Sequence, residues 1–433
     1  MKKTLAAFLA MLFLCLPALA GCKDGSYEPT ALTVGVTVPF DRSFNYFQTA
    51  NESNLAAIYL CAGSLMEPTG EGEWQPYLGE ITAEKTAEGL IATMTLRKNV
   101  YFPDGKTASA EDLLFLLKML CDPGYTGPHS LRDSAIKGAA AYYWDDPAGA
   151  GEAPDFEAEA AAKYAPGVIS EEDLKTYLRE TSLAGEWGNN LESYRGGGQT
   201  WREYLIEQGY EEELAKVASN SAETLALLVD HYYEKYRDNY DATAWYAARL
   251  RKDYMKKTLD DGIDVPEIPG VVKKDDLTVT VEFTDPDADY LSLLYLPLLQ
   301  AKNYNDYYKG GGDKVASSAR KKVVYGAGSY VFNEYEDGIL TLDRNKKFSL
   351  GVPKLETLRM RYVAGEDLAL NCHLRQLSLG FVPEKDAKNE YGCGTIALAD
   401  GTLLYNAADC NLALLEPGGS FQYYLNRLRL YGV

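Results

Sequence analysis

Histidine is rare in this chain: there are three in 433 residues, and His129, His231 and His373 are scattered. No cysteine stands in a CxxC pattern, so the sequence implies no zinc site. The GxSxG elbow, the HExxH helix and the phosphate-loop lysine are absent as well. With no catalytic constellation in view, no enzymatic activity and no cofactor are implied. "DPDAD" at 285–289 begins like a calcium loop, but Tyr290 stands where that loop needs glycine and Leu296 where it needs glutamate. Basic residues are outnumbered, 43 Lys+Arg against 63 Asp+Glu, for a net charge of −20. Nucleic-acid phosphates demand basic patches, so nucleic acid is excluded as a partner. Acidity of this size favours solubility, and its long-range field favours cationic over anionic solutes.

No apolar run is long enough to span a bilayer. The run from Leu5 to Leu16 is about 12 residues, against the roughly 20 a membrane helix needs. What is there is a short signal: Lys2 and Lys3, the apolar run, Pro17, then small residues. Leu19-Ala20-Gly21-Cys22 matches the bacterial lipoprotein box, in which cleavage leaves a cysteine first and its thiol carries diacylglycerol. A lipidated Cys22 is therefore expected, with the chain anchored to a membrane on its outer face. Each buried methylene contributes about 0.8 kcal/mol, so two or more acyl chains anchor stably. Cys15 then leaves with the signal. Cys61, Cys121, Cys372, Cys393 and Cys410 remain, an odd number, so at least one thiol stays free or pairs between chains.

Turn and periodicity signals order the rest. "ALTVGVTVP" (31–39) reads as a strand, 54–66 as a helix and 89–100 as an alternating strand. Residues 271–285 and 326–345 read as hairpins, the second with an Asp-Gly turn at 337–338. Residues 130–270 have another texture, acidic, rich in Ala and Tyr, with helical periods. There Tyr232, Tyr236 and Tyr240 share one helical face, a pattern that packing against a neighbour explains better than ligand contact. The triple glycines at 196–198 and 310–312 lack a strand–helix context for phosphate and read as flexible turns.

The most informative stretch is "TLRKNVYFPDGKTASAEDLLFLLKML", 95–120. Asp104-Gly105 turns the chain, because glycine accepts positive φ. Ser109 and Asp112 stand at capping-box spacing, and Leu113, Leu116, Leu117 and Leu120 form an apolar stripe behind them.

The order of these parts resembles the family 5 solute-binding proteins of bacterial ABC importers, the peptide- and nickel-binding group. Leu96, Arg97, Val100, Phe102, Asp104, Gly105, Ser109, Ala110, Glu111, Asp112 and Leu113 fall on that family's signature. Pro76, Leu78, Gly79 and Glu80 resemble its preceding block, with glycine in place of alanine. Gly326, Gly328, Tyr330, Leu342, Arg344 and Asn345 resemble its "GTGPY…L-x-R-N" block, where Ala327, Ser329 and Phe348 depart from it.

The resemblance implies an α/β, two-lobed periplasmic-binding-protein-like clamp (type II, cluster C-like). It implies capture of a peptide or other small solute and delivery to ABC permease subunits. The expected layout is a signal at 1–21, a tether at 22–31, the first lobe at 32–129, a helical insertion at 130–270, the first lobe and approach to the hinge at 271–355, and a partial second lobe at 356–433. The stretch after Glu384 is too short for a lobe of ordinary size. The loop "VPFDRSFNYF" (38–47) follows the first strand at its carboxyl end, where α/β folds place ligand loops. Phe40, Asp41, Phe44 and Tyr46 are the candidate ligand residues there, with Gly328 and Tyr330 from the later block. Two other readings stand beside solute capture: a surface lipoprotein using the same scaffold as an interaction module, and a truncated fragment that does not clamp.

Overall fold

The computed structural model describes residues 30–69, 73–147, 154–181, 183, 190–195, 198–219, 221–304, 306–317, 323–407 and 419–430. The signal, Cys22 and Cys410 lie outside the described residues. Among those described, no helix is long and apolar enough to cross a membrane. The chain divides into two compact units, Met1–Ala140 with Glu267–Val433, and Ala141–Pro266.

The strands are β1 (Ala31–Val36), β2 (Met66–Pro68), β3 (Trp74–Pro76), β4 (Gly79–Thr86), β5 (Gly89–Leu96), β6 (Tyr194–Arg195), β7 (Gln199–Thr200), β8 (Val271–Lys273), β9 (Thr278–Phe283), β10 (Tyr330–Glu336), β11 (Ile339–Arg344), β12 (Thr357–Tyr362), β13 (Leu379–Pro383), β14 (Gly394–Ala397) and β15 (Thr402–Asn406). The first unit is built on a seven-stranded mixed sheet in the order β10-β11-β12-β1-β13-β15-β14. β1 is central and runs parallel to β12 on one side and β13 on the other. Leu32, Val34 and Val36, all buried, share one face of β1, and Gly35 on the other face lies against Leu377 and Leu368. Between β12 and β13 the chain crosses through the helix Leu368–His373. That helix presses close: a Cβ on Gly35 would lie 2.7 Å from Leu368 Cδ2, and one on Gly380 the same distance from that atom. The hairpin β10–β11 closes on Asp337 and Gly338, both at positive φ (51° and 77°), the pairing that suits strand twist.

A second sheet, β4-β5-β9-β8, is antiparallel throughout. Beside it sits the joint legible in the sequence. Gly105 takes a φ of 81°, and the helix Ala110–Leu120 follows. Asp112 Oδ2 accepts the Ser109 N–H at 2.9 Å, and Asp112 Oδ1 accepts the Ala301 N–H at 2.8 Å. The cap thus also pins a distant loop. Leu113, Leu116, Leu117 and Leu120 are buried, as their spacing predicts.

β12 pairs with β1 along its whole length, from Ala31↔Thr357 to Val36↔Tyr362, and β13 takes the other edge. Buried Leu358, Met360, Leu379 and Phe381 therefore complete the sheet that β1 centres. The terminal helix Phe421–Arg427 docks on β2 of the same unit, where the buried Glu67 meets Asn426 Nδ2 at 2.9 Å and Arg427 at 3.0 Å. The second unit, Ala141–Pro266, is flanked in the chain by segments of the first. Ile136 bridges Phe283, Lys137 N–H donates to Glu282 O at 2.8 Å, and Gly270 N–H donates to Lys137 O at 2.9 Å, so both flanks belong to the first unit.

The second unit has its own core of Leu174, Leu178, Trp201, Leu205, Leu228 and Val229. Its helices include Glu171–Glu180, Trp201–Glu207, Ala222–Tyr236 and Thr243–Leu259. Ser170 Oγ accepts the Asp173 N–H at 3.1 Å, the cap its spacing predicts. Tyr232, Tyr236 and Tyr240 follow one another ring to ring at 5.6 and 5.7 Å against this core. They are packing residues.

Candidate functional site

The parallel strands β1 and β13 end side by side, and the chain beyond them opens two depressions. The first, of about 80 Å³, is lined by Val36, Thr37, Val38, Ser53, Phe381 and Phe421 among others. Phe421 stands edge-on to Phe381 with ring centroids 4.7 Å apart. The second is wide and shallow, about 590 Å³, lined by Pro383, Glu384, Lys385, Asp400 and Gly401. Pro383 belongs to both. Carboxyl ends of parallel strands are where α/β sheets leave room for ligands.

The loop that leaves β1 is braced by its own polar side chains. Asp41 accepts from Ser43 N–H at 2.8 Å and from Thr49 Oγ1 at 2.7 Å. Asn51 Nδ2 donates to Pro39 O at 2.8 Å, Asn54 Nδ2 to Ser43 O at 2.6 Å, and Ser53 Oγ to Val38 O at 2.8 Å. Asp41 is exposed, but both its oxygens already serve the loop. Phe40 and Phe44 are buried and packed together at 5.8 Å. Both also meet the Tyr335 ring, at 5.6 and 5.4 Å, and Phe44 meets Phe332 at 5.1 Å. These two phenylalanines fasten the loop to β10.

Gly328 and Tyr330 are built into the core. The Ala327 and Gly328 N–H groups donate to Ala62 O and Cys61 O at 3.1 and 2.9 Å, satisfying carbonyls at the end of the helix Glu52–Ala62. A Cβ at Gly328 would lie 2.3 Å from Leu60 O, so only glycine fits this approach. Tyr330 is fully buried, and its hydroxyl has no hydrogen-bond partner among the described residues. Neither is open to a solute in this conformation.

Tyr46 lies elsewhere, on a slot of about 300 Å³ also lined by Leu55, Tyr59, His129, Leu293 and Tyr295. Its ring stacks on His129 at 4.2 Å and 6°. Tyr59 stacks on Tyr295 at 4.4 Å and 6°, and Tyr59 donates its hydroxyl to Tyr295 O at 2.7 Å. Burial pushes the Tyr46, Tyr59 and Tyr295 phenols above their usual range, so all three stay neutral. Burial pushes the His129 ring the other way, down from 6.5, which keeps it uncharged at neutral pH. Of this group the sequence reading selected Tyr46 alone. His129, Tyr59 and Tyr295 come from distant segments with no shared spacing, so no local pattern could join them.

One further motif resolves as structure. The triple glycine at 310–312 wraps a carboxylate of its own chain. Buried Asp122 accepts the N–H of Gly310 and Gly312, each at 2.9 Å, the Gly124 N–H at 2.8 Å and the Tyr307 hydroxyl at 2.9 Å. Of 196–198, only Gly198 is described. No cluster of three or more His, Cys, Asp or Glu that could hold a metal occurs among the described residues.

No protein-family model and no curated protein matches the sequence. Solved structures do match. The chain is similar to the oligopeptide-binding protein AppA from Bacillus subtilis in complex with a nonapeptide, at 12% identity and a TM-score of 0.44, over 83% of this chain and 45% of that one. It is similar to OppA from Haemophilus influenzae in complex with RPPGFSPFR, at 16% identity and a TM-score of 0.42, over 83% of this chain and 47% of that one. It is similar to NikZ from Campylobacter jejuni in complex with Ni(L-His), at 12% identity and a TM-score of 0.44, over 85% and 47%. The chain thus spans about half the length of the solved proteins it matches.

Proposed function

We propose that this protein is an extracytoplasmic solute-binding protein of an ABC importer. In this reading it captures a peptide or similar small solute, passes it to permease subunits, and is held at the membrane by lipid on Cys22. It binds and releases its solute without chemical change. The observation that supports the reading most is the pair of depressions at the carboxyl ends of β1 and β13, which share Pro383. The family signature at 96–113 and the lipoprotein box add to it. Phe40, Asp41 and Phe44 then hold the β1 loop in shape beside the solute, with Gly328 and Tyr330 supporting the sheet behind it.

The test is a thermal melt of the full chain, made unlipidated by Cys22→Ser, against pools of two- to nine-residue peptides. A ligand stabilises the folded state by mass action, about 2.7 kcal/mol at a hundred times its Kd. The melting temperature should therefore climb with the concentration of at least one pool. A flat response to all pools would overturn solute capture. Retention in the membrane fraction that survives Cys22→Ser would overturn the lipid anchor.

A further inference from the structure

The slot around Tyr46 shares no lining residue with the depressions at the strand ends. The geometry points to a second ligand site there, one that takes a planar aromatic group bearing an N–H or O–H donor: a phenol or an indole. Three observations converge. First, the slot is bounded by two stacked pairs, Tyr46 on His129 and Tyr59 on Tyr295, and the Tyr46 and Tyr59 rings meet edge-on at 6.5 Å. Ring edges and faces attract a further ring beyond what its buried area gives. Leu55 and Leu293 add apolar surface. Second, the slot measures about 300 Å³, at the low end of the roughly 300–1,000 Å³ of small-molecule pockets. That is space for a single ring system and not for a peptide.

Third, hydrogen-bonding capacity is unused: the Tyr295 hydroxyl is buried with no partner among the described residues, and His129 offers an acceptor. His129 Nε2 faces the carbonyl oxygen of Thr49 at 2.9 Å, and a carbonyl can only accept, so Nε2 carries the proton. In a neutral imidazole the other nitrogen is then an acceptor, and His129 Nδ1 has no partner among the described residues. The site therefore combines ring walls with the His129 lone pair, the Tyr295 hydroxyl and two serine side chains, and its lining carries no charged residue. A plain hydrocarbon ring would leave that lone pair unmatched, and a cation would find no carboxylate among the lining residues.

The test uses p-cresol, 3-methylindole and toluene as probes, titrated into the full unlipidated chain. With three histidines in the chain, each ring can be followed separately by nitrogen NMR. p-Cresol and 3-methylindole should saturate and shift His129 Nδ1, with His231 and His373 unmoved. Toluene should bind about five- to tenfold more weakly, the effect of one net hydrogen bond. His129→Phe keeps a ring in the stack but removes the acceptor, so it should erase the preference for p-cresol over toluene. Should that variant fail to fold, Leu293→Trp fills the slot from a half-buried position and should abolish binding of all three probes. The inference is overturned by no shift at His129, by equal shifts at all three histidines, or by a preference that survives His129→Phe. Saturation by methylammonium but not by p-cresol would assign the slot to cations and overturn it equally. None of these outcomes bears on peptide capture, which the thermal melts read separately.

Discussion

Tyr330 and Gly328 fall in the same family-like block, yet neither is free to touch a solute as the protein stands. The buried Tyr330 hydroxyl lacks a partner among the described residues, and an unmatched buried hydroxyl costs about 1–3 kcal/mol. Tyr330→Phe should therefore leave urea stability unchanged or raise it by up to about 1 kcal/mol. A drop of more than about 1 kcal/mol in equilibrium unfolding would mean the hydroxyl has a role that its surroundings do not reveal. Residue roles were the least legible part of the sequence. Asp41 looked like a ligand group because it follows the first strand. Its oxygens are claimed by Ser43 and Thr49, two and eight residues along, in a turn that no spacing rule announces. His129 went unselected for the opposite reason: its partners Tyr46 and Thr49 lie some eighty residues back.

Elements were read more faithfully where their signals are local. The capping box Ser109–Asp112, the Asp-Gly turn of β10–β11 and the cap at Ser170 rest on contacts within four residues, and each is present. The helix Phe421–Arg427 is different, since it is held by residues from the other end of the unit. Glu67 receives Gln75 Nε2 at 2.6 Å, Asn426 at 2.9 Å and Arg427 at 3.0 Å. Removing one partner of a buried ion pair costs about 3–5 kcal/mol, and Arg427→Ala should lie at the low end because two amides still hold the carboxylate. The double variant Glu67→Gln/Arg427→Met should recover most of that loss, since no buried charge is left unmatched. Urea midpoints of the two variants decide it. Equal destabilisation in both would show that packing, and not the charge pair, secures the helix.

At the scale of the molecule, the sequence conveyed an α/β chain interrupted by a helical region, because periodicity changes visibly near 130 and 270. It did not convey that 357–406 completes the first sheet, since strand pairing leaves no mark in either strand alone. The interruption itself leaves and rejoins the first unit at neighbouring points, with Gly270 N–H on Lys137 O at 2.9 Å. Replacing 141–266 by a short Gly/Ser linker should therefore yield a folded first unit that melts in one cooperative step. Loss of that transition would mean that the two units depend on each other for folding.

The central place of β1 has a cost in time. Its two neighbours begin at Thr357 and Leu379, while β1 itself ends at Val36. Synthesis at about 5–20 residues per second puts tens of seconds between the making of this strand and the making of its partners. Throughout that interval Leu32, Val34 and Val36 have no sheet to join, and every pairing they await closes a loop of three hundred residues or so. Folding that hinges on such distant contacts is slow. The newborn chain therefore depends on being kept from early, wrong strand partners until β12 and β13 have been made.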